Sequence, residues 1–189
     1  LDAAYASLRL AVGDDRLLMV LLQGLIPATV FVGLCWLFLY IERAGLFKGR
    51  RIVPRDSDPT LTRQAIKETL FNQFVSGPLV SFFVIYHLDV WIHPTKYSGP
   101  LPSAPYAVGQ LLLAFVIEDF LIYWTHRTLH HPRLYRHYHK KHHTFLVTNT
   151  FASAFSGGVE AVFSHAFSGL TALWLTKMHL TVAVVYNVV

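Results

Sequence analysis

Residues 106–143 read YAVGQLLLAFVIEDFLIYWTHRTLHHPRLYRHYHKKHH. The first half is apolar apart from Gln110, Glu118 and Asp119, whereas the second half is basic and holds seven of the chain's eleven histidines. An uninterrupted apolar helix of this length crosses ~30 Å of hydrocarbon. The stretch therefore predicts a transmembrane helix over 106–125 that emerges directly into a histidine-rich segment. Within that segment two boxes stand out, HRTLH at 126–130 and HKKHH at 139–143. Residues four apart on a helix share a face about 6 Å apart along the axis. His126 with His130, and His139 with His142 and His143, thus form two rows of imidazoles. Pro132 is poor inside a helix but well suited to the first turn of a new one, so two helices meeting at a bend are expected.

Neutral imidazole is a good ligand for iron, copper and zinc, and histidines without cysteines favour those metals over calcium or magnesium. The single cysteine, Cys35, lies in an apolar run, which leaves neither an internal disulfide nor a cysteine-based metal site. Five boxed histidines exceed what one tetrahedral ion needs. They point to two metals, or to one metal and a proton-handling group. The C-terminal end of the first helix carries partial negative charge, which also favours a cation. A basic aromatic stripe at a membrane surface would account for Arg127, Arg133, Arg136, Lys140 and Lys141 beside Tyr135 and Tyr138. It would not account for five histidines at ligand spacing. A bis-histidine haem would place its ligands inside the bilayer on two spans, whereas these lie beyond the apolar stretch. His131 and His137 fall outside both rows. Glu118 and Asp119 are expensive in lipid and are expected to face the protein interior. Asp119 shares a helical face with His126 and is expected to stand behind it as an orienting carboxylate.

Working outward, residues 17–40 carry no charge and predict a first transmembrane helix, too long for the core of a signal peptide. Residues 42–68 are rich in arginine and lysine, which by the positive-inside rule makes this loop cytoplasmic. Asp58-Pro59-Thr60 opens a helix near Leu61 that continues as a second span over 70–91, with a kink at Gly77-Pro78. The Pro-, Ser- and Gly-containing loop 93–105 falls on the opposite side, with His87 and His93 as interfacial residues. Residues 144–155 are polar and aromatic and are expected to run along the interface. The apolar runs 159–175 and 180–189 flank Thr176-Lys177 as a helical hairpin, in which His165 and His179 are packed or interfacial. At 53% hydrophobic and only 14% charged, the chain is far from the ~25% charge of a soluble domain. Its formal charge of +5 sits beside apolar segments, so nucleic acid is not an expected partner. The opening Leu and the closing apolar run suggest a piece of a longer chain.

The residues Glu118-Asp119-Phe120, Tyr123-Trp124-Thr125-His126-Arg127, Leu129-His130-His131, Leu134-Tyr135 and His139-Lys140-Lys141-His142-His143 together resemble the signature of a known family. It is the membrane-bound fatty acid hydroxylase and sterol desaturase superfamily of non-haem di-iron oxygenases. Phe71-Asn72-Gln73-Phe74 and the loop 99–105 look most like its C-4 methylsterol monooxygenase branch. The resemblance implies an all-α membrane protein with about four transmembrane helices in two hairpins and a cytosolic histidine-rich cap. It implies two non-haem irons held by His126, His130, His139, His142 and His143. It further implies electrons from NAD(P)H through cytochrome b5 or a similar carrier, a sterol or long acyl chain as substrate, and residence in the endoplasmic reticulum. The family carries a third HxxHH box that residues 1–189 lack, so a single domain cut short before that box is expected. Gly157-Gly158 stand where close relatives often carry His-Pro ahead of the glutamate. Two other functions compete. A metal transporter would need polar residues through several spans, which are bare apart from Glu118 and Asp119, and a non-catalytic lipid binder would lack the third box altogether.

Overall fold

The computed structural model describes residues 2–50, 53, 55–88 and 100–189. His93, most of the 93–105 loop and the expected end of the second span at Trp91 lie outside them. The regular elements among the described residues are helical. In chain order they are α1 (Asp2–Val12), α2 (Asp15–Val20), α3 (Ile26–Arg43), α4 (Pro59–Phe71), α5 (Gly77–Leu88), α6 (Ala104–Leu129), the single turns α7 (Pro132–Leu134) and α8 (Gly158–Glu160), α9 (Phe167–Thr176) and α10 (Leu180–Val188).

Among the described residues, two stretches are long and apolar enough to cross a membrane, Leu21–Arg43 and Ala104–Leu129. The second buries only 11% of its apolar window inside the protein, which is not how the central helix of a water-soluble core behaves. Leu112, Leu113, Val116 and Phe120 on α6, and Leu34, Leu37 and Phe38 on α3, are exposed. Apolar belts of this kind are stable against hydrocarbon and unstable against water. α6 begins with Pro105 in its first turn, where a missing N–H costs nothing. It runs past the expected end at Thr125, so the helix that leaves the apolar layer is the same rigid rod that carries the first histidine box.

The break expected at Gly77-Pro78 is present but spread over the preceding turn. Asp58 caps α4, its side chain accepting from the backbone N–H groups of Thr60 and Leu61. The helix then widens into a π turn, Asn72–Ser76, before α5. Pro78 has no N–H to donate, and its ring crowds the preceding turn. The wider turn relieves this, and Gly77 N donates five residues back to Asn72 O. A Cβ at Gly77 would stand 2.7 Å from that oxygen, so the π turn is compatible with glycine there.

α6 packs along α9. Ser164, Ser168, Ala172 and Thr176 recur every fourth residue on the α9 side, all buried, and small side chains at this spacing let two helices approach closely. Gln110 Nε2 donates to Thr176 O at 3.0 Å, which satisfies a carbonyl at the end of α9. Lys177 then adopts a left-handed conformation (φ 46°, ψ 40°), and α10 crosses to α3 and α6.

Residues 144–155 are tied to α3 and α4 by three aromatic side chains. Phe145, Phe151 and Phe155 are buried and pack with Cys35 and Leu39 of α3 and Ala65 of α4, whereas Leu146 and Ser153 stay exposed. Asn149 anchors the segment. Its Nδ2 donates to Ser57 Oγ at 3.0 Å and Thr62 Oγ1 at 2.8 Å, and its Oδ1 accepts from Ala152 N. Burying each phenylalanine contributes about 1.5–3 kcal/mol, and this plug holds the second histidine box against α3 and α4.

Candidate metal centre

His126 and His130 project from the last turn of α6, with Nε2 atoms 3.2 Å apart. The Thr125 and Thr128 hydroxyls beside them donate back to helix carbonyls, at 2.8 Å to Leu121 O and 2.7 Å to Trp124 O. The bend follows as expected. His131 caps the single turn α7, its Nδ1 accepting from Arg133 N, and Pro132 occupies the first turn. The second box is not a straight α-helix. A π turn, Tyr135–His139, runs through Lys140 and Lys141 into a 3-10 turn, His142–Thr144.

This mixed winding sorts the boxed histidines. His139 Nε2 lies 3.1 Å from His130 Nε2 and 2.9 Å from His143 Nε2. The coordinating nitrogens of His126, His130, His139 and His143 all fall within 4.8 Å of one another. His142 stays outside that group. Its ring stacks on His139 at 5.6 Å, and its Nδ1 is buried with no hydrogen-bond partner.

The four nitrogens fit a metal ion. Metal–nitrogen bonds of ~2.0–2.1 Å set neighbouring ligand nitrogens roughly 2.9–3.4 Å apart, the spacing of the His126–His130, His130–His139 and His139–His143 pairs. Hydrogen bonding among the rings does not explain the cluster equally well. The Nε2 atoms of His130 and His139 each face two others, and a neutral imidazole nitrogen is either one donor or one acceptor. Burial and the facing rings of His126, His130, His143 and His142 hold His139 down to about 4. Burial, with His142 and His130, also lowers His143. These histidines are kept neutral, with lone pairs available, as metal ligation requires.

His139 is fully buried, and behind it lies an equally buried acid. Glu160 Oε1 is 2.9 Å from His139 Nδ1, close but poorly aligned for a linear hydrogen bond. Spacing does not single out Glu160; its one sequence signal is that of a lone carboxylate opening the apolar run 159–175. Asp119, the expected orienting carboxylate, is exposed. It shares an open groove of about 440 Å³ with Ile122, Tyr123, His126, Arg127 and His130. Glu118 is turned inward, its Oε2 accepting from Tyr186 OH at 2.5 Å. His131 and His137 are exposed away from the cluster. His179 is buried and caps α10, whereas His165 stands on the π turn Ala161–Ala166 within electrostatic reach of His142 and Glu118. Of the basic stripe, Lys141 points inward, to Glu68 and the Phe155 ring.

The profile of the fatty acid hydroxylase family matches residues 111–189, which include both boxes and Glu160. Fatty acid hydroxylase ahd1 of Mycosarcoma maydis is 36% identical over 126 residues, 66% of this chain and 33% of that protein. Very-long-chain aldehyde decarbonylase GL1-11 of Oryza sativa subsp. japonica is 30% identical over 181 residues, 95% of this chain and 66% of that protein. Methylsterol monooxygenase 2-2 of Arabidopsis thaliana is 31% identical over 146 residues, 76% and 53% of the two chains. The chain thus spans about one to two thirds of the length of these relatives. No solved structure matches it.

Proposed function

Because this chain belongs to the fatty acid hydroxylase superfamily, we propose that it is the metal-bearing part of a membrane-bound, O2-dependent oxidoreductase acting on a lipid C–H bond. The observation that carries the reading is the convergence of His126, His130, His139 and His143 at the end of a helix whose sides are exposed and apolar. A lipid dissolved in the bilayer reaches these residues along Ile122 and Tyr123 without entering water.

The metal is non-haem iron, two ions per protein. The four imidazoles hold the first, and the partnerless buried Nδ1 of His142 supports a second nearby. When bound, the irons supply the activation of dioxygen. The chain's own residues keep the ligand nitrogens neutral, hold them at coordination spacing and open one side of the cluster to the groove. Electrons come from NAD(P)H through cytochrome b5 or a similar carrier protein. The domain extends across the whole chain, with four membrane helices in two hairpins and the histidine cap on the cytosolic face of the endoplasmic reticulum. The basic segment between α3 and α4 supports that orientation.

The substrate is a sterol oxidised at a C-4 methyl group, a reading supported by the methylsterol monooxygenase relative and by Phe71-Asn72-Gln73-Phe74. A long acyl chain is the second reading, favoured by the fatty acid hydroxylase relative. Full-length protein in membranes supplied with NADPH and the electron carrier is expected to yield an oxygen-dependent lipid product. His126→Ala and His139→Ala are expected to abolish it. Product formation undiminished in both variants would refute the assignment, and iron-loaded protein without any product would leave a non-catalytic lipid binder or a metal carrier.

A further inference from the structure

We infer that Glu160 is the positioning residue of this centre: its carboxylate holds the proton of His139 on Nδ1 and thereby aims the Nε2 lone pair at the metal. The inference rests on the reading of the four imidazoles as a metal site.

His139 occupies the middle of the cluster, its Nε2 lying within 3.1 Å of both His130 and His143. A neutral imidazole carries one N–H. If that proton were on Nε2, the central ligand would present a donor to the ion rather than a lone pair. Glu160 Oε1 lies 2.9 Å from Nδ1, off the line of a hydrogen bond but near enough that a negative charge there favours the N–H on that side. The same contact keeps the ring from turning about χ2.

The burial of the acid supports the same role. Glu160 is 2% exposed, and its Oε2 has no hydrogen-bond partner. A dry carboxylate is expensive, and leucine or methionine would fill the space without that penalty. A cation bound to the imidazole in front of it supplies the missing compensation. The chain also builds the approach. A Cβ at Gly157 would stand 3.4 Å from Tyr138 O, so the turn that leads into Glu160 lies directly against the π turn that carries His139. Glu160 touches His139 and so acts through it.

Cobalt(II) titration of the purified full-length chain tests this by visible ligand-field absorption and dissociation constant, with no dependence on turnover. Glu160→Gln keeps the shape and removes the charge. It is expected to weaken cobalt binding on the order of 10–100-fold and to shift the absorption bands. In a His139→Ala background the same substitution is expected to change neither. Unaltered affinity and spectrum in Glu160→Gln would overturn the inference, as would an equal loss in the His139→Ala background. Should Glu160→Gln lose the fold, Glu160→Asp keeps the charge and withdraws it by one methylene, with the same expected losses. Wild-type protein that binds no cobalt would instead refute the metal centre itself.

Discussion

Lys141 Nζ meets Glu68 Oε2 at 2.5 Å, joining the second histidine box to α4 across 73 positions of sequence. The two side chains are 40% and 28% exposed, so water screens the pair and its contribution is ~0.2–1 kcal/mol. Lys141 also lies 4.7 Å over the Phe155 ring. Glu68→Gln is therefore expected to lower stability by well under ~1 kcal/mol, and Lys141→Ala by more, because it also loses the ring contact. Equal losses in a denaturation series would show that the ring contributes nothing.

The histidines are expected to divide sharply. Alanine at His126, His130, His139 or His143 removes one of the four convergent nitrogens and is expected to lower affinity for the first metal ion by ~10-fold or more. His142→Ala is expected to spare that ion, and alanine at exposed His131 or His137 to leave metal content unchanged. Elemental analysis of each purified variant reads this directly. If His142→Ala emptied the protein as completely as His139→Ala, the four-nitrogen grouping would be wrong.

Acid should act through the same residues. His139 is held down to about 4, and His143 is also lowered, against ~6.5 in an unfolded chain. Between those values the unfolded state binds more protons than the folded one, so stability rises with pH in that window and falls on acidification. Glu160, pushed up to about 7 by burial, holds its proton in the folded state and acts in the opposite sense, so the histidine contribution is read as a difference: the Tm of chelator-treated protein is expected to fall more between pH 7 and pH 5 than that of His139→Ala. An identical pH dependence in the two proteins would contradict the assignment of neutral, buried imidazoles.

Two glycines predict opposite outcomes. In an ordinary helix Gly→Ala is favourable by ~1 kcal/mol. At Gly169 the new Cβ would meet Glu118 Oε1 at 3.6 Å, ordinary contact, whereas at Gly77 it would meet the Asn72 carbonyl at 2.7 Å. Gly169→Ala is expected to be neutral or stabilising, and Gly77→Ala to destabilise by ~1–3 kcal/mol. Thermal denaturation of the two variants in the same detergent distinguishes them, and a stabilised Gly77→Ala would mean that the π turn is dispensable.

Much of this protein is written in local spacing. The apolar length of α6, its continuation into HRTLH, the restart at Pro132 and the cap at Asp58 depend on residues within a turn or two of one another, and sequence alone determined them. The pairing of His126 with His130 belongs to the same class, because one helical turn brings them together whatever the rest of the chain does. Tertiary structure decided what depends on winding and on distant partners. A π turn followed by a 3-10 turn rotates HKKHH so that His139 and His143 converge while His142 does not, and no spacing rule distinguishes these from an α-helix. Residues 144–155 are polar and aromatic in sequence, and only the fold shows that three phenylalanines and Asn149 find partners on α3, α4 and the turn before α4. Which carboxylate lies against a boxed histidine depends on packing in the same way. Asp119 lies on the helix that carries His126, but that part of α6 faces outward. Glu160 comes to His139 from the far side of a turn, where only the packing of the chain could put a buried acid behind a buried imidazole.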